Sequence, residues 1–183
     1  MADRIAILGW GSLLWDMRPG FDALHGPWQS DGPMLKIEFS RISSSRLGAL
    51  TLVLDPTNGA DNQVAYCLSL RGDLPQAVED LRIREGTTIK NIGYIHRNGN
   101  ARSRDQRSMS VIAAWAVAQN FDCVVWTDLQ SNFEEKTGEP FSVGSATAYL
   151  QSLGEAARNA AQEYIEKAPQ FIETPWRRAY TAR

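Results

Sequence analysis

The sequence predicts an α+β fold built around one core, and three observations carry that prediction. Leu35 to Arg41 alternates, placing Leu35, Ile37 and Phe39 on one face of a strand and Lys36, Glu38 and Ser40 on the other. Asp55-Pro56-Thr57-Asn58-Gly59 carries turn chemistry between the apolar runs Ala49 to Leu54 and Val64 to Leu68, which predicts a hairpin between them. Ser108 to Asn120 then repeats Val111, Ala114, Trp115 and Ala118 at helical spacing, and Cys123 to Thr127 follows as a buried strand.

In chain order, Ile5 to Leu8 is a short apolar run that ends at Gly9, a buried first strand, and it opens directly into a loop rich in glycine and tryptophan, Gly9 to Pro19. Pro75 stands where a helix begins, Leu74, Val78 and Leu81 recur at helical spacing, and Gly86 stops the helix. Thr87 to His96 is one more strand. Arg97 to Arg107 is polar, shows neither period and reads as a surface excursion. From Phe141 the chain turns helical: Ser142 is a candidate N-cap, Tyr149, Leu150 and Leu153 form an apolar face, Gly154 is a break, and Ala156 to Lys167 continues until Pro169. With no internal repeat, linker or low-complexity stretch, residues 1–183 are expected to form a single domain with a C-terminal helical segment at about 142–168.

Composition narrows the function. At 43% apolar residues the chain can build a core without staples, since a domain of this length buries about 70% of its unfolded surface. Nineteen Lys plus Arg against 21 Asp plus Glu leave a net charge of -2, which lacks the electrostatic signature of a dedicated nucleic-acid or anionic-membrane binder. A small-molecule partner is the expectation. Cys67 and Cys123 each lie in an apolar run and read as buried thiols in a reducing compartment, without the spacing of metal ligands. No signal-peptide pattern and no membrane-spanning run is present, so a soluble cytoplasmic protein is expected.

Among motifs with chemistry, Gly9-Trp10-Gly11-Ser12-Leu13-Leu14 fails as a dinucleotide fingerprint, because Leu14 replaces the third glycine and Pro19 and Gly20 interrupt any following helix. It has no phosphate-loop lysine, and the chain holds no G-x-S-x-G elbow. What remains is a loop whose successive N–H groups can face an anion, or a tight turn flanked by core tryptophans. His25 and His96 lie far apart in sequence, with no cysteine or acid at triad or metal spacing. The arginines between Arg97 and Arg107 are interleaved with polar residues rather than aromatics, the pattern of a solvated loop. Glu85 differs from these: it ends a helix, where the macrodipole disfavours a carboxylate, and precedes a glycine that admits close approach, and either effect raises its pKa. The ordinary alternative is a solvated glutamate paired with Arg82 or Arg84.

Ile7-Leu8-Gly9-Trp10-Gly11-Ser12-Leu13-Leu14-Trp15 resembles the signature loop of the γ-glutamylcyclotransferase-like superfamily, which reads Y-G-S-L or Y-G-S-N after the first strand. Leu81-Arg82-Ile83-Arg84-Glu85-Gly86 resembles that family's second mark, a glutamate acting as general acid and base. The run Ser45 to Val53 and the Gln63 to Leu68 strand are similar to its central strands. Leu13-x-Trp15 together with Arg84-Glu85 is similar to the branch that includes the glutathione-degrading ChaC enzymes. The resemblance covers about the first half of the chain. Trp10 departs from it, standing where the family has tyrosine and removing a phenolic hydroxyl.

The resemblance implies a mixed β-barrel of about five to seven strands with flanking helices, and cyclotransfer on a γ-glutamyl compound without cofactor or metal. It implies Glu85 as the acid and base, Trp10, Gly11, Ser12 and Leu13 lining the glutamyl end, and Arg46 and Tyr94 as further substrate-binding candidates; an ion pair explains Arg46 equally well. Two readings of other classes stand beside it: a non-catalytic protein that binds a small ligand or partner on the same fold, and RNA binding through Arg97 to Arg107. Neither the identity of the γ-glutamyl compound nor the oligomeric state is written in the sequence.

Overall fold

A computed structural model of the chain describes residues 2–182. Its elements in chain order are β1 (Ile5–Gly9), α1 (Pro19–Asp22), β2 (Met34–Ser43), β3 (Ala49–Leu54), β4 (Ala60–Gln63), β5 (Ala65–Leu68), α2 (Leu74–Glu85), β6 (Ile92–His96), β7 (Ala101–Arg102), α3 (Gln106–Ala118), β8 (Cys123–Thr127), α4 (Phe133–Thr137), α5 (Val143–Ser152), α6 (Glu155–Lys167) and α7 (Pro175–Thr181). The fold is α+β, and the described residues gather into two compact units. The first takes the chain up to Gly9, Asp16–Met34 and Gln63–Leu129; the second takes Trp10–Trp15, Leu35–Asn62 and the chain from Gln130 onward.

The first unit holds a five-stranded mixed sheet in the order β5-β1-β8-β6-β7. β1 and β8 pair in parallel, with Ile5 opposite Cys123 and Ile7 opposite Val125, and the other pairs are antiparallel. Every residue of β1 and β8 is buried, as unbroken apolar runs require of strands covered on both faces. The helix α2 packs on β1, β6 and β8 through Leu74, Ala77, Val78 and Leu81. The Asp73 carboxylate caps its start by accepting the Gln76 N–H at 3.0 Å. At its end Gly86 adopts φ 58°, so that its own N–H reaches the Ile83 carbonyl while the Thr87 N–H reaches that of Arg82. Gly93 of β6 lies under the Trp126 indole of β8: a Cβ there would meet Cε2 of the ring at 2.3 Å.

Two expectations for this unit need correction. The strand foreseen over Thr87 to His96 is confined to Ile92–His96, because Ile89–Asn91 forms a 3-10 turn. The buried face of α3 is Ser108, Ile112 and Ala116 rather than the stripe through Val111, which is 42% exposed. Most positions from Met109 to Ala118 are apolar, so periodicity alone does not choose a face; small Ser108 and Ala116 let the helix approach β8 closely.

The second unit holds a three-stranded sheet in the order β3-β2-β4. β3 pairs with β2 antiparallel, from Ile37 opposite Leu54 to Ser43 opposite Ala49, with a bulge between Glu38 and Arg41. The hairpin from β3 to Val64–Leu68 does not form, since β4 takes the other edge of β2 and β5 pairs with β1 in the first unit's sheet. The turn itself is present. Asp55 accepts the Thr57 and Asn58 N–H groups, and its own N–H donates to the Lys36 carbonyl, which directs the chain along β2. Both sheets keep open edges, and no closed barrel occurs among the described residues.

The face of β2 carrying Glu38 and Ser40 is also covered, both residues being fully buried. α7 accounts for Glu38: its carboxylate accepts the Phe39 N–H at 2.7 Å and the Trp176 N–H at 3.2 Å, in the first turn of α7. Burial pushes this carboxyl above its ordinary value, and the hydrogen bonds, including one to Thr174, oppose that. The guanidinium of Arg177, also buried, donates to the carbonyls of Ile165, Ala168, Pro169 and Ile172 and so caps the end of α6. The helices α5 and α6 start at Ser142 and after Gly154, as the sequence predicts, Ser142 forming a capping box with Ser145.

Candidate functional site

The residues singled out in the sequence divide between the units. Glu85 and Tyr94 belong to the first; Trp10, Gly11, Ser12, Leu13 and Arg46 belong to the second.

In the first unit Glu85 is the last residue of α2, at the negative end of its dipole, and its side chain is only 17% exposed. It is therefore not a solvated surface acid. Arg82, one of the two partners considered for it, is taken by Glu79 through Nη2 to Oε1 at 2.6 Å and Nε to Oε2 at 2.8 Å. Arg84 stands beside Glu85, with Nη1 3.6 Å from its Oε1, and the Arg84 side chain is 4% exposed. Burial lowers the Arg84 guanidinium from its ordinary value, and the charges of Glu85 and Asp16 partly restore it. Its Nη2 donates to the Asp16 carbonyl at 2.8 Å. Asp16 in turn pairs with Arg18, Nη2 to Oδ2 at 3.1 Å.

That contact reaches the loop through the chain itself. Gly9 and Asp16, the two feet of the Trp10–Trp15 segment, both belong to the first unit, and Arg84 fastens the second foot. Asp16 was not among the predicted site residues. The signal for it was its place directly after the Trp10–Trp15 segment; its partner Arg84 lies 68 residues away and left none.

Within the second unit Trp10 is buried, Gly11 precedes a 3-10 turn over Ser12–Leu14, and the Leu14 N–H closes the turn on the Gly11 carbonyl at 3.0 Å. A Cβ on Gly11 would come within 2.7 Å of the Tyr164 hydroxyl, which accepts the Leu52 N–H at 3.3 Å. The Arg46 guanidinium lies 5.1 Å from the ring centres of both Trp15 and Tyr164, and Lys167 Nζ is 5.3 Å from that of Trp15. Arg46 is thus seated beside the residue that ends the loop.

The remaining candidates lie elsewhere. Tyr94 donates its hydroxyl to Asn100 Oδ1 at 3.3 Å, and Arg102 covers its ring at 5.0 Å. His25 is structural: its Nδ1 donates to the Gly26 carbonyl at 2.6 Å, and the ring packs between Phe21 and Trp28. The excursion after His96 includes the short strand β7, and its arginines face separate partners: Arg97 meets Asp122 at 2.6 Å and Arg102 donates to the Ile92 carbonyl at 2.9 Å. No helix among the described residues is long and apolar enough to cross a membrane. Comparison with protein-family models gives no match, and comparison with curated proteins and with solved structures gives none either.

Proposed function

We propose that the chain is a γ-glutamylcyclotransferase-like enzyme that converts a γ-glutamyl compound to 5-oxoproline and the free amine, with Glu85 as general acid and base. The observation that carries the reading is the setting of Glu85: a shielded carboxyl at a glycine-terminated helix end, beside an arginine that holds the foot of the Gly-Ser loop. Cyclotransfer asks one carboxyl to take a proton and later return it, and that is the role proposed for Glu85.

The chemistry needs little else. The substrate α-ammonium gives a proton to Glu85, and the freed amine attacks the γ-carbonyl carbon, forming the C–N bond of a five-membered ring and placing charge on the carbonyl oxygen. When the oxygen's electron pair reforms the carbonyl, the bond to the leaving nitrogen breaks as Glu85 returns its proton to that nitrogen, and Glu85 then takes the extra proton of the ring nitrogen and passes it to the freed amine, leaving a neutral lactam and an ammonium ion. The N–H groups of Gly11, Ser12 and Leu13 are assigned to the substrate's oxyanion or carboxylate. Holding the substrate folded supplies an advantage worth up to ~7–11 kcal/mol in ideal intramolecular cases. A small-molecule substrate, a cytoplasmic setting and the absence of a cofactor from the reaction belong to the same proposal.

The test is release of 5-oxoproline from a panel of γ-glutamyl amines, γ-glutamyl dipeptides and glutathione. Turnover of at least one member is expected. A folded chain that turns over none of them is not a cyclotransferase, and product binding without turnover makes it a binding protein.

A further inference from the structure

We propose that Asp3, His96 and Cys123 form a zinc-binding tripod in the first unit, independent of the cyclotransferase reading. The sheet order brings together residues that have no metal spacing in sequence. β8 lies between β1 and β6, so Cys123 is in register with Ile5 on one side and with His96 on the other, and Asp3 stands two residues before the start of β1. His96 Nε2 lies 3.4 Å from Asp3 Oδ2, Cys123 Sγ lies 3.7 Å from the same oxygen, and one ligand atom from each residue falls within 4.8 Å of the others. Zinc bonds of roughly 2.0–2.2 Å to nitrogen or oxygen and 2.3 Å to sulfur, at tetrahedral angles, set such ligand atoms about 3.3–3.6 Å apart. The edge from His96 falls inside that range and the edge from Cys123 lies just beyond it, so a small closure of the sulfur completes the tripod.

The donor set selects the metal. Thiolate and imidazole with one carboxylate suit zinc rather than magnesium or calcium, and three protein ligands leave a fourth position for water. Cys123 is buried, while the side chains of Asp3 and His96 are 25% and 17% exposed, which leaves an approach from solvent. A nucleophilic cysteine fits the cluster poorly. Burial, with the nearby Asp3 and Asp122 carboxylates and only Arg97 opposing them, holds the thiol at about 12, and both ring nitrogens of His96 are engaged. A metal ion overcomes that thiol by binding its conjugate base.

The proton balance makes zinc binding measurable. His96 Nδ1 accepts the Asn98 N–H at 3.0 Å, so without metal the ring hydrogen sits on Nε2, facing Asp3. Zinc at Nε2 moves that hydrogen to Nδ1, where it displaces the Asn98 N–H, and the thiol proton of Cys123 leaves to solvent. One proton is released per ion, and the turn between β6 and β7 loses one hydrogen bond.

The test is titration of the tag-free, metal-stripped chain with zinc and, as a spectroscopic probe, with cobalt. One ion per chain is expected, together with one proton released per zinc, a thiolate-to-cobalt charge-transfer band and faster hydrogen exchange at the Asn98 amide. Excess magnesium should not displace the ion. The band should vanish in Cys123→Ser and persist in Cys67→Ala. Zinc affinity should fall in Asp3→Asn and in His96→Gln by more than the roughly 10–100-fold that loss of a supporting partner costs. A folded chain that binds no zinc at micromolar concentration, or a cobalt band that survives Cys123→Ser, overturns the proposal. Should Cys123→Ser fail to fold, unchanged affinity in both Asp3→Asn and His96→Gln overturns it instead.

Discussion

The interiors of the two units are put together differently. In the first, the central strands β1 and β8 are apolar or nearly so along their whole length, and the buried carboxylate Asp128 sits just past the end of β8, where it accepts the Arg104 N–H and the Trp126 indole N–H. In the second, a carboxyl occupies the middle of the central strand, and it and a buried guanidinium fasten α7 to β2 and to the end of α6. One interior rests on apolar burial and close packing, the other on polar groups that must find partners. The first tolerates no added volume; the second tolerates no lost partner.

The largest effect should come from chemistry rather than stability. Glu85→Gln keeps the shape of the side chain but cannot exchange a proton, so cyclotransfer should fall by ~10²–10⁴-fold while the thermal midpoint stays nearly unchanged. Glu79→Gln, on the same helix but paired with Arg82, should keep wild-type turnover. Equal turnover in both variants would remove Glu85 from the reaction.

Arg177→Met removes the guanidinium donor from the carbonyls of Ile165, Ala168 and Ile172, while that of Pro169 keeps the Ile172 N–H, and should cost the second unit about 3–5 kcal/mol in denaturant unfolding. Gly93→Ala should cost the first unit about 1–3 kcal/mol, because the Trp126 indole must shift to admit a methyl group. If the order of these two costs were reversed, the contrast between the interiors would be drawn wrongly.

The smallest effect is a slope. Burial raises the Glu38 carboxyl in the folded chain above its ordinary 4.5, so over a window that opens near that value the folded state holds more protons than the unfolded one. Glu38 therefore stabilises most at low pH, and its contribution is lost as pH rises through the folded value. Asp128, also raised by burial, gives the first unit a slope of the same sign. Unfolding free energies across this range should decline with pH less steeply in Glu38→Gln, and Asp128→Asn should flatten a separate share.

Much of this architecture was legible where one local cause decides. Uninterrupted apolar runs located β1, β3 and β8, and Pro75 and Gly86 bounded α2 because such signals act within one turn; the capping role of Asp73 was also there to be read. Partners were harder to read. The residues from Asp55 to Gly59 announce a turn but not which edge the next strand will take, so β4 and the pairing of β5 with β1 went unseen. The helix α7 carried a legible signal in Thr174-Pro175, an N-cap followed by a first-turn proline, whereas the burial of Glu38 depends on a helix more than a hundred residues later. Glu85 drew notice through Gly86 beside it. The grip of Arg84 on Asp16 exists only in three dimensions.

The way the chain alternates between units also governs how it can be made. It leaves one unit for the other after Gly9, Trp15, Met34, Asn62 and Leu129, so neither unit is a continuous stretch. β1 leaves the ribosome before β8 and must wait for it, and the junction between them is closed by residues such as Arg4 and Asp122, 118 apart. Until then β5 can cover one edge of β1 but the other stays unpaired, the kind of surface that chaperones hold and that aggregates when unprotected. Closing so long a loop comes before any return from the pairing, which slows folding of this sheet and places it after the synthesis of β8. A ribosome stalled before Cys123 should therefore carry a chain that proteases digest readily.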